Sequence, residues 1–149
     1  MLTAQLKAAP SESGSAITFP PTTAQKRVLP NELTVIVQED RSAPVVSVQA
    51  WCGAGSIDEN EHLGTGLSHI LEHMLIKGTK ARGSSVIAQT IQDVGGYINA
   101  YTSFDRTVYW IDVPKAGTSI ALDILSDAMM NSTLPEEEYV KEQEVIRRE

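Results

Sequence analysis

Two of the three histidines in this chain stand four residues apart, in the stretch Ser68-His69-Ile70-Leu71-Glu72-His73. On a helix that spacing places both imidazoles on one face, where their ring nitrogens can converge on a single ion. Glu72 lies three residues after His69 and one before His73, so its carboxylate flanks the same face. Two imidazoles to hold zinc and a carboxylate to move a proton are the core of a peptide-hydrolysing site. Such a zinc needs a third protein ligand and keeps its fourth position for water.

The last helical stretch offers candidates for that ligand. Glu137 with Lys141, and Glu144 with Arg148, are i, i+4 pairs in the favourable acid-first order, and the solvent face accounts for them. Glu142 and Glu149 are seven residues apart and share a face with no cation toward the C-terminus. Val145 and Ile146 border them, and Glu138 adds a like charge above. An uncompensated acid stripe beside apolar residues suits a metal-facing side. Surface acids are common, however, and by spacing alone Glu149 is a ligand or an ordinary surface residue with equal weight. His62, in a polar loop, reads as a surface residue. Cys52 follows Trp51 in an apolar run and reads as a buried structural thiol.

The elements that must position these groups follow from periodicity. Residues 1–24 are rich in Ala, Ser, Thr and Pro without sustained periodicity, and are expected to form a disordered or loosely docked arm. Residues 25–149 should form the folded part. Leu29-Pro30-Asn31-Glu32 signals a turn before a strand over Leu33–Val37, and a second strand over Val45–Trp51 is apolar enough to be central. A polar loop from Gly53 to Gly66 leads into the histidine helix, expected over about Thr65–Lys77 and stopped by Gly78. Its residues Leu67, Ile70, Leu71, Met74 and Leu75 form one apolar stripe. His69, Glu72, His73 and Ile76 project from the other side, and an isoleucine there implies that the polar groups are enclosed.

A second helix over Ser84–Val94 is ended by Gly95-Gly96. Residues 97–103 and 106–112 read as a hairpin joined at Phe104-Asp105. A third helix over about Ser119–Met130 follows, and Thr133-Leu134-Pro135-Glu136 reads as a capping box opening a fourth. The expected fold class is α+β, a mixed and largely antiparallel sheet backed by helices, in the order β-β-α-α-β-β-α-α.

Gly55-Ser56-x-x-Glu59 and the run Gly64 to Thr79 together resemble the signature of the inverzincin peptidases, the pitrilysin and insulysin group. Leu29-Pro30-Asn31, the block Gly95 to Ser103 and the segment Glu142 to Glu149 match as well. The resemblance covers roughly residues 27–149 and is strongest to the mitochondrial-processing-peptidase-like branch. It implies a zinc endopeptidase in which His69, His73 and Glu149 hold one Zn2+. Glu72 would be the general base that takes a proton from the attacking water, and Glu142 a second glutamate supporting catalysis. Asn99, Ala100 and Tyr101 would be the edge-strand segment along which the substrate backbone lies; without the resemblance they read as an ordinary strand face. The substrate would be an extended peptide or small unfolded protein, with a second homologous domain or subunit closing the site. In one departure from the pattern, Glu32 stands where the family usually has Gly. In another, Glu149 is the final residue, so 149 residues alone are expected to bind metal weakly and turn over negligibly.

Composition narrows the alternatives. With 42% apolar and 21% charged residues the chain reads as an ordinary globular domain. A net charge of -7 and a pI near 4.9 argue against nucleic acid as a partner. The single cysteine excludes an internal disulfide. No apolar run approaches a membrane span and no signal peptide stands at the N-terminus, which leaves the compartment undetermined. A non-catalytic structural or substrate-binding subunit of the same family is the main rival reading, although such homologues typically lose the motif. The S-ribosylhomocysteine lyases share His-x-x-Glu-His but use a downstream cysteine, and Cys52 lies upstream.

Overall fold

The structure, a computed structural model, describes residues 22–149. The elements are strands β1 (Gln25–Val28), β2 (Thr34–Val37) and β3 (Val45–Cys52), a 3-10 turn (Ser56–His62), helices α1 (Leu67–Leu75) and α2 (Ser84–Asp93), strands β4 (Tyr97–Thr102) and β5 (Thr107–Pro114), a 3-10 turn (Lys115–Gly117), and helices α3 (Thr118–Asn131) and α4 (Glu136–Ile146). The chain divides between Arg41 and Ser42 into two compact units. The arm expected over residues 1–24 lies almost wholly outside the described residues.

The first unit contains an antiparallel hairpin, with Gln25 opposite Val37 and Val28 opposite Thr34. Its turn is closed by the Leu29 N–H on the Leu33 carbonyl and the Glu32 N–H on the Leu29 carbonyl, both 2.9 Å. Glu32 sits at φ 66, in the left-handed region where glycine is favoured. Strand β1 adds one strand to the front of the expected order. Its sequence Gln-Lys-Arg-Val carries no apolar alternation, and pairing with β2 is what makes it a strand.

The second unit is built on a three-stranded antiparallel sheet in the order β3-β5-β4. The α+β class and the β4–β5 hairpin are as expected, and every pairing among the described residues is antiparallel. The expectation that Val45–Trp51 is central is corrected. Strand β5 occupies the middle and pairs with β3 on one side and β4 on the other. The burial patterns agree, since β3 alternates between exposed and half-buried residues while five of the first seven residues of β5 are buried.

One face of this sheet carries the core. Tyr109, Ile111 and Val113 of β5 meet Ile87 and Ile91 of α2 and Ala121, Ile124 and Leu125 of α3. The 3.6-residue period of both helices puts these positions on single faces, and burying them drives the packing. Helix α2 ends where Gly95 takes φ 74, its N–H donating to the Gln92 carbonyl at 2.9 Å. The capping box expected at Thr133 does not form. Pro135 is the N-cap residue of α4, and the Thr133 hydroxyl lies 3.4 Å from the Gly78 carbonyl instead.

The segment leaving α1 is tied to α3 by a polar knot. Thr79 Oγ1 donates to Asp127 Oδ2 at 2.7 Å, Arg82 Nη1 donates to the same oxygen at 2.6 Å, and Arg82 also pairs with Asp123. Asn131 Nδ2 donates to Asp127 Oδ1 at 2.9 Å. The Thr79 hydroxyl first, with Asn131 and Arg82, holds the Asp127 carboxyl below the usual carboxylate range.

Two outcomes follow from this packing. Ile111 is fully buried, so Ile111→Ala is expected to destabilise the domain by about 2–5 kcal/mol in urea unfolding. Because the folded pKa of Asp127 is depressed, its stabilisation is present above the unfolded value of 3.8 and fades as pH falls through the lower folded value. Asp127→Asn should therefore lower the urea midpoint at neutral pH. The gap to wild type should close on acidification below about pH 4.

Candidate metal centre

Helix α1 begins without a side-chain cap of its own. Its N-cap residue is Gly66 at φ 77, and its first turn carries no acid. The missing carboxylate comes from the preceding 3-10 turn, where Glu59 Oε1 accepts the Ser68 N–H at 2.7 Å. Glu59 is buried, and the Ser68 N–H is the leading cause of its lowered pKa. A negative charge there also complements the positive end of the helix dipole. The 3-10 turn is itself fixed to the β4–β5 link, with the Ser56 N–H on the Ser103 carbonyl and the Ile57 N–H on the Phe104 carbonyl, at 3.1 and 2.9 Å. Only glycine fits at position 55, because a Cβ there would lie 2.3 Å from the Ser103 carbonyl oxygen.

So anchored, α1 presents its histidines and Glu72 to an open cleft of about 730 Å³, lined also by Asn99, Ala100, Tyr101, Phe104 and Glu149. His69 Nε2 and His73 Nε2 are 3.2 Å apart. Glu149 Oε2 lies 3.1 Å from the first and 3.8 Å from the second. Zinc bonds of about 2.0–2.1 Å at tetrahedral angles separate two donor atoms by roughly 3.3 Å, and the three atoms are arranged close to that spacing. Three acceptors converging without an intervening donor would repel one another, whereas a cation between them satisfies all three. The donor set, two imidazoles and one carboxylate, fits zinc.

Glu142 supports this arrangement from behind. Its Oε2 accepts the His73 Nδ1–H at 2.7 Å, which leaves Nε2 with a free lone pair aimed at the cleft. Its Oε1 is 2.6 Å from Lys77 Nζ. Burial pushes the Glu142 pKa up, but Lys77 and His73 outweigh it and the net shift is downward. Glu72 is buried, and its Oε2 accepts a 2.6 Å hydrogen bond from Thr102 Oγ1. The expected residues His69, Glu72, His73 and Glu149 are thus brought together, with Glu142 one step behind and Asn99, Ala100 and Tyr101 along one wall.

Some readings of the stripe are corrected. The apolar face of α1 is buried at Met74 but exposed at Leu67 and Leu71. In α4 the ion pairs run from Lys141 to Glu138 and from Arg147 to Glu144, one residue off the expected partners, so Glu138 is compensated. Glu142 also has its cation, Lys77, just past the end of α1. His62 is exposed beside Glu61, and Cys52 is a half-buried free thiol whose pKa burial raises. Lys77, Thr102 and the capping role of Glu59 were not read from the sequence. Lys77 lies four residues after His73 but beyond the last residue of α1, so helical spacing does not place it. Nothing in the spacing linked Thr102 to Glu72.

The chain matches the insulinase (peptidase family M16) profile over residues 34–149. It belongs to that family. It is 40% identical over 121 residues to a probable mitochondrial-processing peptidase subunit beta of Arabidopsis thaliana, covering 81% of this chain and 23% of that protein. It is 34% identical over 119 residues to the uncharacterized zinc protease YmxG of Bacillus subtilis, covering 80% and 29%. Among solved structures, a protease from Helicobacter pylori superposes with a TM-score of 0.76 at 30% identity, over 84% of this chain and 30% of that one. The chain therefore spans about a quarter of the length of the curated relatives it matches.

The Glu142–His73 bond makes a direct prediction. In the protein expressed from its full gene, Glu142→Gln is expected to weaken zinc about 10- to 100-fold in competition with a chelating indicator. An unchanged dissociation constant would mean that the bond does not tune the ligand.

Proposed function

We propose that this chain carries the metal-binding part of a zinc-dependent endopeptidase acting on extended peptides. The observation that carries the reading is the convergence of His69 Nε2, His73 Nε2 and Glu149 Oε2 beside the buried carboxylate of Glu72. The family supports it, as does the similarity to the uncharacterized zinc protease of Bacillus subtilis. His69, His73 and Glu149 would hold one Zn2+. When bound, zinc supplies Lewis acidity, bringing the pKa of water toward ~7 and polarising a carbonyl.

The chain's own groups do the rest. Glu72 takes the proton of the attacking water and returns it to the nitrogen of the departing amine. Glu142, held by Lys77, keeps the His73 imidazole in one tautomer and orientation.

The peptide would lie along β4. Among the described residues this strand pairs only with β5, so its other edge is open to a partner strand. The Ala100 N–H is satisfied there by the Asn99 Oδ1 at 2.8 Å, and Asn99 Nδ2 donates to the Tyr97 hydroxyl at 2.6 Å. A bound peptide would replace that local bond with its own carbonyl, which gives Asn99, Ala100 and Tyr101 roles in positioning substrate. A second homologous domain or subunit closing over the open cleft belongs to the same proposal. Among the described residues no helix is long and apolar enough to cross a membrane.

The test is Glu72→Gln in the protein expressed from its full gene. Zinc content should be unchanged, and cleavage of an unstructured peptide should fall at least about 100-fold. Undiminished turnover would remove Glu72 from the reaction.

A further inference from the structure

Thr102 and Thr107 face each other across the β4–β5 ladder, and the Thr102 hydroxyl reaches Glu72. Each hydroxyl has one proton to give. Thr107 is buried, and its Oγ1 donates to the Ala54 carbonyl at 3.0 Å, an oxygen that can only accept. The Thr107 proton is therefore committed. Thr102 Oγ1 donates to Glu72 Oε2 at 2.6 Å, which commits the Thr102 proton as well. The two hydroxyl oxygens are 3.4 Å apart and have no proton left to share. Donation therefore runs outward in two directions, from Thr102 to the Glu72 carboxylate and from Thr107 to the Ala54 carbonyl.

This has a consequence for the two oxygens of Glu72. A proton placed on Oε2 would leave that oxygen a poorer acceptor and weaken the 2.6 Å bond from Thr102. Turning instead to Thr107 Oγ1 at 3.4 Å would be a poor exchange for that bond. Oε1 carries no such penalty.

We propose that Thr102 is a positioning residue that holds Glu72 by Oε2 and so assigns the proton to Oε1. In the reaction an O–H bond of water breaks as Oε1 gains the proton. That proton later leaves Oε1 to form the N–H bond of the departing amine, which returns Glu72 to the carboxylate that Thr102 holds. The inference rests on the reading of Glu72 as the general base.

The test uses Thr102→Val, which keeps shape and removes the hydroxyl, with Thr102→Ser, which keeps the hydroxyl, both in the protein expressed from its full gene. Thr102→Val is expected to lower kcat about 10- to 100-fold, the cost of a misplaced reacting group, with KM within about twofold and zinc content unchanged. Thr102→Ser should restore kcat to within about threefold of wild type. Crystal structures should show the Glu72 carboxylate turned, or in more than one rotamer, in Thr102→Val and fixed in Thr102→Ser. Thr102→Ala, free of any overpacking by valine, should repeat the loss of kcat. The inference is overturned if the hydroxyl-free variants retain wild-type kcat, if the serine variant falls with them, or if the loss follows zinc loss. Glu72→Gln measured beside them separates the two failures. Full activity there would overturn the general-base reading itself, whereas an inactive Glu72→Gln with an active Thr102→Val would overturn only the role of Thr102.

Discussion

A buried carboxylate is costly unless every lone pair it exposes finds a proton, and Glu142 is such a group. It meets Lys77, just beyond the end of α1, on one oxygen and His73 of α1 on the other, while it stands itself on α4. That pair of bonds joins the two helices on which the site depends. Without α4 at this distance Glu149 would not reach His69, and without the bond to Nδ1 the His73 ring would have two tautomers to choose between. The same contact thus fixes helix packing, ring orientation and ligand geometry. Removing either partner would leave a charge buried without compensation.

The other end of α1 is held just as specifically. Glu59 supplies the carboxylate that the glycine-rich entry to the helix cannot, and the 3-10 turn bearing it is bonded to the β4–β5 link. The link ties the helix carrying His69, Glu72 and His73 to the end of the strand proposed to receive the peptide. Thr102, on that strand, reaches Glu72 directly. Helix α1 and strand β4 are therefore bonded to each other at more than one point, and a reaction sensitive to ångström-scale placement requires such a scaffold. The hydrophobic core of α2, α3 and β5 supports that piece from the side and takes no part in the chemistry.

Local pattern carried most of this. The His69–His73 spacing fixed a shared helix face, and Gly95-Gly96 marked the end of α2. The flanking blocks around the motif pointed to the family. What stayed hidden depends on contacts distant in sequence. Glu142 looked uncompensated because its cation, Lys77, lies far off in sequence, just past the end of α1. Glu59 looked like a loop acid because its partner is a backbone N–H nine residues on. Strand β1 has no apolar alternation, and β3 looked central because apolar content alone does not distinguish a middle strand from an edge strand with one covered face. Leu67 and Leu71 show the limit from the other direction, since an apolar stripe does not say which of its members the described residues cover.

The central claim is that two imidazoles and a glutamate converge on one zinc. X-ray absorption at the zinc edge, on the zinc-loaded protein expressed from its full gene, reads that first shell directly. The account predicts only nitrogen and oxygen neighbours at about 2.0–2.1 Å, with outer-shell scattering from two imidazole rings. A sulfur neighbour at about 2.3 Å, or scattering from a single imidazole, would contradict it.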